Sequence, residues 1–285
     1  MITAMLEPFQ FGFFQRGIIV ATLAGALCGL VGVYVVLRSM SYIGHGLSHA
    51  VFGGAAVSSV LGVSYFLGAG LWGVLAALMI GRVSARRVIG ADAAIGVVTT
   101  ASFAIGLAIQ SRSGSVSRTL DTVLFGNVLG VFRGDVAAIV IVGLVVVALV
   151  VAFQRELTFA TFDPEVAEVS GVRVAMIDAM LMVVLSATVL VSVRVIGALL
   201  ISAMLVLPAA TSRLMTNSIG RMLWLSPLLG ASFGFVGMYA SWYADVPSGA
   251  VITIVGSTMF AIVYLATDVA KRHAIGKLDE HTALA

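Results

Sequence analysis

Charge is what this sequence has least of. Asp, Glu, Lys and Arg make up only 10% of its 285 residues, where a soluble domain carries roughly a quarter. A chain this poor in charge and 60% hydrophobic cannot clothe a water-facing surface, so an ordinary soluble globule is excluded. Cysteine is nearly absent as well. The single Cys28 cannot close an internal disulfide, and inside an apolar run it reads as a small buried hydrophobe. Ten-residue alternating segments are missing, which excludes a membrane β-barrel. There is no Gly-x-x-x-x-Gly-Lys-Ser/Thr run, so the chain has no loop to cradle nucleotide phosphates. Neither a His-Glu-x-x-His run nor a plausible Ser or Cys nucleophile set occurs, and nothing marks the chain as an enzyme or as the holder of a permanent cofactor. Met1–Phe14 carries no basic stretch or small-residue cleavage site, so the first apolar helix is expected to serve as its own insertion signal. No polar stretch is long enough to fold by itself, and residues 1–285 are expected to form one transmembrane domain.

What is present in abundance is hydrocarbon. Runs such as Ile18–Leu37, Val136–Phe153 and Val251–Ala266 match the roughly 17–25 residues that cross a bilayer as helix. The apolar pattern predicts spans near 17–37, 46–62, 65–83, 91–109, 135–153, 175–193, 195–215, 223–243 and 247–268. The segment 119–131 is apolar but too short to cross, and reads as a re-entrant or interfacial helix. The expected fold is an all-α polytopic bundle of eight or nine transmembrane helices. Basic residues then sort by side. Arg38, Arg82, Arg86, Arg87, Arg155, Arg173, Arg213, Arg221, Lys271, Arg272 and Lys277 fall on one side, and Arg16, Arg112, Arg118, Arg133 and Arg194 on the other. The positive-inside rule makes the richer side cytoplasmic, with the N-terminus outside and the C-terminus inside. The net charge of +3 therefore reports topology, and no nucleic-acid partner is expected.

Glycine recurs at helix-packing spacing, in Gly25/Gly29/Gly32, Gly126/Gly130 and Gly230/Gly234/Gly237. Small residues let helix backbones approach closely, so these predict a tight bundle, within the subunit in preference to across an interface with a partner chain.

Against this background two histidines stand out. His45 and His49 lie in Ser41-Tyr-Ile-Gly-His-Gly-Leu-Ser-His-Ala50, and a helical spacing of four puts both rings on one face. Neutral imidazole is a common transition-metal ligand, and polar groups at membrane depth are costly enough to suggest function. Hydrogen bonding of the rings to Ser41 or Ser48 is the structural alternative. Pro208 should kink or break its helix and free a carbonyl, which Thr211 could re-satisfy; gating and simple bending are equally compatible with that. Asp92, Asp178 and Arg194 stand at span ends, where caps and snorkelling charges account for them.

The longest cytoplasmic connection contains Phe162-Asp-Pro-Glu-Val-Ala-Glu-Val-Ser-Gly171. Asp163 can cap a helix, Pro164 suits its first position, Glu165 complements the positive dipole end, and Gly171 can terminate it. The prediction is about two turns of surface helix exposing Val166, Ala167 and Ser170 beside Phe162, a suitable docking element for a cytoplasmic partner.

Four stretches together resemble the membrane permeases of bacterial ABC importers for zinc, manganese or iron, the ABC-3 metal-permease family. They are Leu37–Ala50, Phe162–Gly171, Val195–Thr211 and Asp245–Ala250, in the family's order and near its spacing over nearly the whole chain. The resemblance implies a multi-pass subunit of the bacterial inner membrane, paired as a dimer with a second permease chain, most simply an identical one. It also implies two separate cytoplasmic ATPases and an extracytoplasmic metal-binding protein that delivers the ion. It makes Phe162–Gly171 the ATPase-coupling helix and places Ser41, Ser48, Pro208 and Thr211 near the pathway or gate. The family's second helix usually reads Gly-Asp-x-x-x-His. Here His49 matches the histidine, while His45 replaces the aspartate. Two imidazoles make a softer, uncharged site, better suited to zinc, iron or nickel than a carboxylate-bearing one. A secondary carrier coupled through Asp178 or Asp92, and an ABC permease for a metal chelate, are the competing expectations.

Overall fold

The computed structural model describes residues 7–85, 89–113, 126, 130–198 and 200–283. Among the described residues, a 3₁₀ turn at Glu7–Gln10 is followed by eleven helices. They are α1 (Gly12–Leu37), α2 (Ile43–Leu61), α3 (Tyr65–Ala85), α4 (Ala91–Ser113), α5 (Arg133–Ala152), α6 (Gln154–Phe162), α7 (Pro164–Val169), α8 (Val174–Ile196), α9 (Ile201–Met215), α10 (Ile219–Ala244) and α11 (Ser248–Ala283). Seven of these, α1, α3, α4, α5, α8, α10 and α11, are long and apolar enough to cross a membrane. Two more expected spans are realised as weaker elements. α2 has 19 residues but is diluted by two His and three Ser. α9 has only 15, about 22 Å of helix, because the chain turns at Gly197, whose φ of +89° ends α8. The expected 195–215 span is thus shortened at its start. The interfacial helix expected at 119–131 falls mostly outside the described residues, as do Arg86, Arg87 and Arg118.

α1 is the central post. In its most apolar window 78% of the residues are buried, against 22% in α5, whose Ile141, Leu144 and Val151 face outward as a lipid-facing side should. The glycine spacing explains how α1 can be surrounded. A methyl group on Gly25 would collide with the carbonyl of Gly230, and one on Gly234 with the carbonyl of Ala21. α1 and α10 therefore cross backbone to backbone, and Ser226 donates from α10 to the Gly29 carbonyl at 2.6 Å. These glycines pack within the subunit.

α2 is held against α4 in the same way. A Cβ on Gly53 would meet the Ser102 carbonyl at 2.5 Å, and one on Gly46 the methyls of Ile95 and Thr99 at 2.6 and 2.7 Å. This fixes which faces of α2 and α4 share the surface described next.

Candidate metal path and coupling surface

α2 begins immediately after a tight turn. α1 ends with Ser39 in the left-handed region, φ +55°, with Ser39 N–H donating to the Val36 carbonyl and Met40 N–H to the Val35 carbonyl. That is a Schellman closure with serine where glycine is usual. Ile43 N–H then donates to Met40 O at 3.0 Å, so the chain enters α2 without slack and His45 is its third residue.

The two imidazoles do meet. Nε2 of His49 lies 3.1 Å from Nε2 of His45, with the rings 4.4 Å apart and nearly perpendicular. Phe103 on α4 packs edge-on against His49 at 5.0 Å. A neutral pair can hydrogen-bond here, one ring donating Nε2–H to the other. Two nitrogens bound to one tetrahedral ion at 2.0–2.1 Å would stand roughly 3.3 Å apart, so the spacing of the pair is close to that of two ligands on one ion once the rings turn their lone pairs toward it. His45 is exposed and His49 half-buried. Nδ1 of His49 is buried with no hydrogen-bond partner, so the outer-shell acceptor that usually fixes a tightly held ligand histidine is missing.

Both rings open into a cavity of about 520 Å³ between α2 and α4, lined also by Tyr42, Asp92, Thr99 and Phe103. Asp92, in the first turn of α4 as expected from sequence, also lines this cavity. The signal for it is tertiary, carried by the α2–α4 contact. Among the described residues no three His, Cys, Asp or Glu side chains already stand close enough to hold an ion.

Neither serine hydrogen-bonds to a histidine ring; Ser48 reaches only the backbone carbonyl of His45, at 3.1 Å. Ser48 is fully buried and donates to the Gly44 carbonyl at 2.6 Å. Its short hydroxyl finds its own helix backbone before it can reach either ring, so it does not line the His cavity, and neither does the exposed Ser41. Pro208 and Thr211 are buried in α9 and do not line that cavity. The helix runs through Pro208 unbroken. Thr211 donates to the Leu207 carbonyl at 2.7 Å, one turn back along its own helix, and so leaves the carbonyl of Met204, the one proline frees, untouched.

The Phe162–Gly171 segment has the local form its residues dictate. Asp163 Oδ1 accepts from Val166 N–H at 3.0 Å, Pro164 takes the first helical position, and Gly171 ends α7 at φ +87°. One expectation is overturned. Ala167 is not exposed but fully buried, because α7 lies across α6 and α8 and turns this small side chain inward. The outward face is Phe162, Val166, Val169 and Ser170, with Val169 91% exposed. Beside it a groove of about 350 Å³ is lined by Arg155, Glu156, Phe159, Ser170 and Arg173.

Sequence reading also missed the partner of Arg38. Its guanidinium NH1 pairs with Asp178 Oδ1 on α8 at 2.5 Å, and its Nε donates to Thr161 Oγ1 on α6 at 3.0 Å.

Comparison with known proteins agrees with this architecture. Residues 10–267 match the ABC 3 transport family. The manganese transport system membrane protein MntC of Halalkalibacterium halodurans is 38% identical over 258 residues, covering 90% of this chain and 88% of that protein. A protein of Haemophilus influenzae named "Probable iron transport system membrane protein" is 32% identical over 93% of this chain and 94% of its own length. Among solved structures, PsaBC from Streptococcus pneumoniae in complex with Fab superposes with a TM-score of 0.83 at 33% identity, covering 93% of this chain and 95% of that one.

Proposed function

The chain belongs to the ABC 3 transport family, and on that premise we propose that it is the transmembrane permease subunit of an ATP-driven importer for a divalent transition metal, with His45 and His49 as a station on the ion path. The observation that carries this reading is the facing pair of imidazole nitrogens, 3.1 Å apart in an open cavity on α2. Two ligands without an acceptor behind His49 make a weak site, and a conducting site must release its ion. The cavity opens on the outer face of the subunit, so a second permease chain set against it would bring four imidazoles together. That second chain is most simply a second copy.

The metal is one of those carried by the named relatives, manganese or iron, or zinc. Paired imidazoles favour zinc and iron. The Asp92 carboxylate in the same cavity supplies the oxygen character that manganese prefers. α7 offers Phe162, Val166 and Val169 to a cytoplasmic ATPase, present twice in the complex, and an extracytoplasmic binding protein delivers the ion at the opposite end. With the basic-rich side cytoplasmic, the C-terminus is inside the bacterial inner membrane. α2 and α9 complete a nine-helix bundle with the seven long spans. A secondary carrier fits less well, since Asp178, one of its two candidate coupling carboxylates beside Asp92, is paired with Arg38.

The test is uptake by the permease reconstituted with its ATPase and binding protein, across zinc, manganese, iron and nickel. ATP-dependent accumulation of at least one is expected, and none without the ATPase. Uptake driven by a proton or sodium gradient in the absence of ATP would establish the carrier instead.

A further inference from the structure

Arg38 occupies a place that neither topology nor helix capping requires. It follows Leu37 as the C-terminal cap of α1, and its side chain is only 12% exposed. Its three nitrogens address three different environments. NH1 pairs with Asp178 at the start of α8, Nε donates to Thr161 near the end of α6, and NH2 is buried with no hydrogen-bond partner. Thr161 is in turn tied to its own helix through the Leu157 carbonyl at 2.6 Å. α6 leads directly into α7, and α8 follows it. One guanidinium thus holds both ends of the segment that carries the exposed Phe162, Val166 and Val169 face.

On its other side Arg38 is joined rigidly to the histidine pair. Ser39 and Met40 close the Schellman turn, Met40 is buried, and Met40 O receives the Ile43 amide. His45 stands seven residues beyond Arg38, with no flexible stretch between. Gly44, the residue before it, packs without clearance against Ser202 and Leu205 of α9. A displacement of α6–α7 that carries Thr161 with it must therefore either break its bond to Arg38 or move the α1–α2 turn. That turn sets the position of the first α2 residues.

We propose that Arg38 is a positioning residue that links the α6–α7 docking segment to the His45–His49 site, so that movement imposed on α7 reaches the ion-contacting rings. The inference rests on the permease reading above. Burying a guanidinium for stability alone is a poor solution, because an apolar residue of the same volume packs as well. An unpaired buried donor on that guanidinium is better suited to a junction with a second arrangement, in which NH2 finds an acceptor and another bond is released.

The experiment reads ATP hydrolysed and metal transported side by side, using the full complex in proteoliposomes. Arg38→Gln keeps two donors but loses the charge. It is expected to raise the ratio of ATP hydrolysed to ion moved at least tenfold, with the ATPase still co-purifying. Arg38→Lys and Thr161→Val each remove the link to α6 while leaving a positive charge beside Asp178. Each is expected to raise the ratio by a smaller amount, about threefold, and the double variant by no more than either alone. These two carry the test should Arg38→Gln fail to fold. A ratio at the wild-type value in Arg38→Lys and Thr161→Val, whether both rates fall together or neither changes, overturns the inference and leaves the permease reading intact. Failure of the wild-type complex to move any divalent metal with ATP overturns both.

Discussion

At the scale of single residues, the histidine pair was legible and its surroundings were not. A spacing of four is local geometry, so His45 and His49 could be placed on one face of α2 before any tertiary contact was known. Asp92 joins them only because Gly46 lets α4 approach, and that contact spans residues 46 to 99 in sequence. Arg38 and Asp178 are separated further still. The first prediction follows from the facing nitrogens. His49→Ala should lower metal uptake at least tenfold, because Phe103 and Thr99 offer no comparable ligand. His45→Asp should keep uptake while shifting competition toward manganese, since it adds an oxygen ligand and a negative charge. Wild-type uptake and selectivity in a His45→Ala/His49→Ala variant would leave the pair as packing. The same nitrogens set a pH dependence. A protonated imidazole cannot coordinate, so uptake should fall as pH drops. Transport rates between pH 5.5 and 7.5, with ATP hydrolysis by the isolated ATPase as control, check the sign. A flat profile counts against coordination by His45 and His49.

At the scale of elements, boundaries set by caps were the readable ones. Asp163, Pro164 and Gly171 each act through their own backbone, so α7 could be drawn from sequence to within a residue. Which side of α7 faces inward depends on α6 and α8, and there the expectation for Ala167 failed. Pro208 gives the same lesson. Its missing amide is local knowledge, but whether the helix breaks is decided by the packing of α9 on α1, against which it stays continuous. The burial of Ala167 changes the test of docking. A charge at Ala167 would disrupt the fold of α7, whereas Val169 is 91% exposed and a substitution there should alter stability by no more than about 0.5 kcal/mol. Val169→Asp is expected to leave the permease folded and inserted but to weaken ATPase binding. An unpaired charge buried at the contact costs on the order of 3 kcal/mol, about a hundredfold in affinity. Pull-down of the ATPase from detergent at a series of concentrations measures this. Unchanged affinity would move the docking face away from Val169.

At the scale of the whole molecule, hydropathy marks the long apolar helices but not which one lies in the middle. α1 and α5 are both long apolar runs, yet α1 is enclosed and α5 faces outward, and the difference lies in what stands opposite their glycines. Gly25 meets the backbone of Gly230, and a Cβ there has nothing to displace but a carbonyl. Gly143 on α5 meets only the end of the Leu27 side chain, at 3.5–3.8 Å, an ordinary contact for an added methyl. The same substitution should therefore act with opposite sign at the two positions. Gly25→Ala must push α1 and α10 apart along the crossing that Gly29 and Gly234 share, and should cost about 3 kcal/mol, the upper range for overpacking. Gly143→Ala should be neutral or stabilising by up to about 1 kcal/mol, through the helix preference of alanine over glycine. Thermal unfolding of the two purified variants in the same detergent compares them directly. Gly25→Ala should melt well below the parent chain and Gly143→Ala at or above it. Equal melting temperatures would mean that α1 and α10 do not cross backbone to backbone, and that some other helix occupies the centre of the bundle.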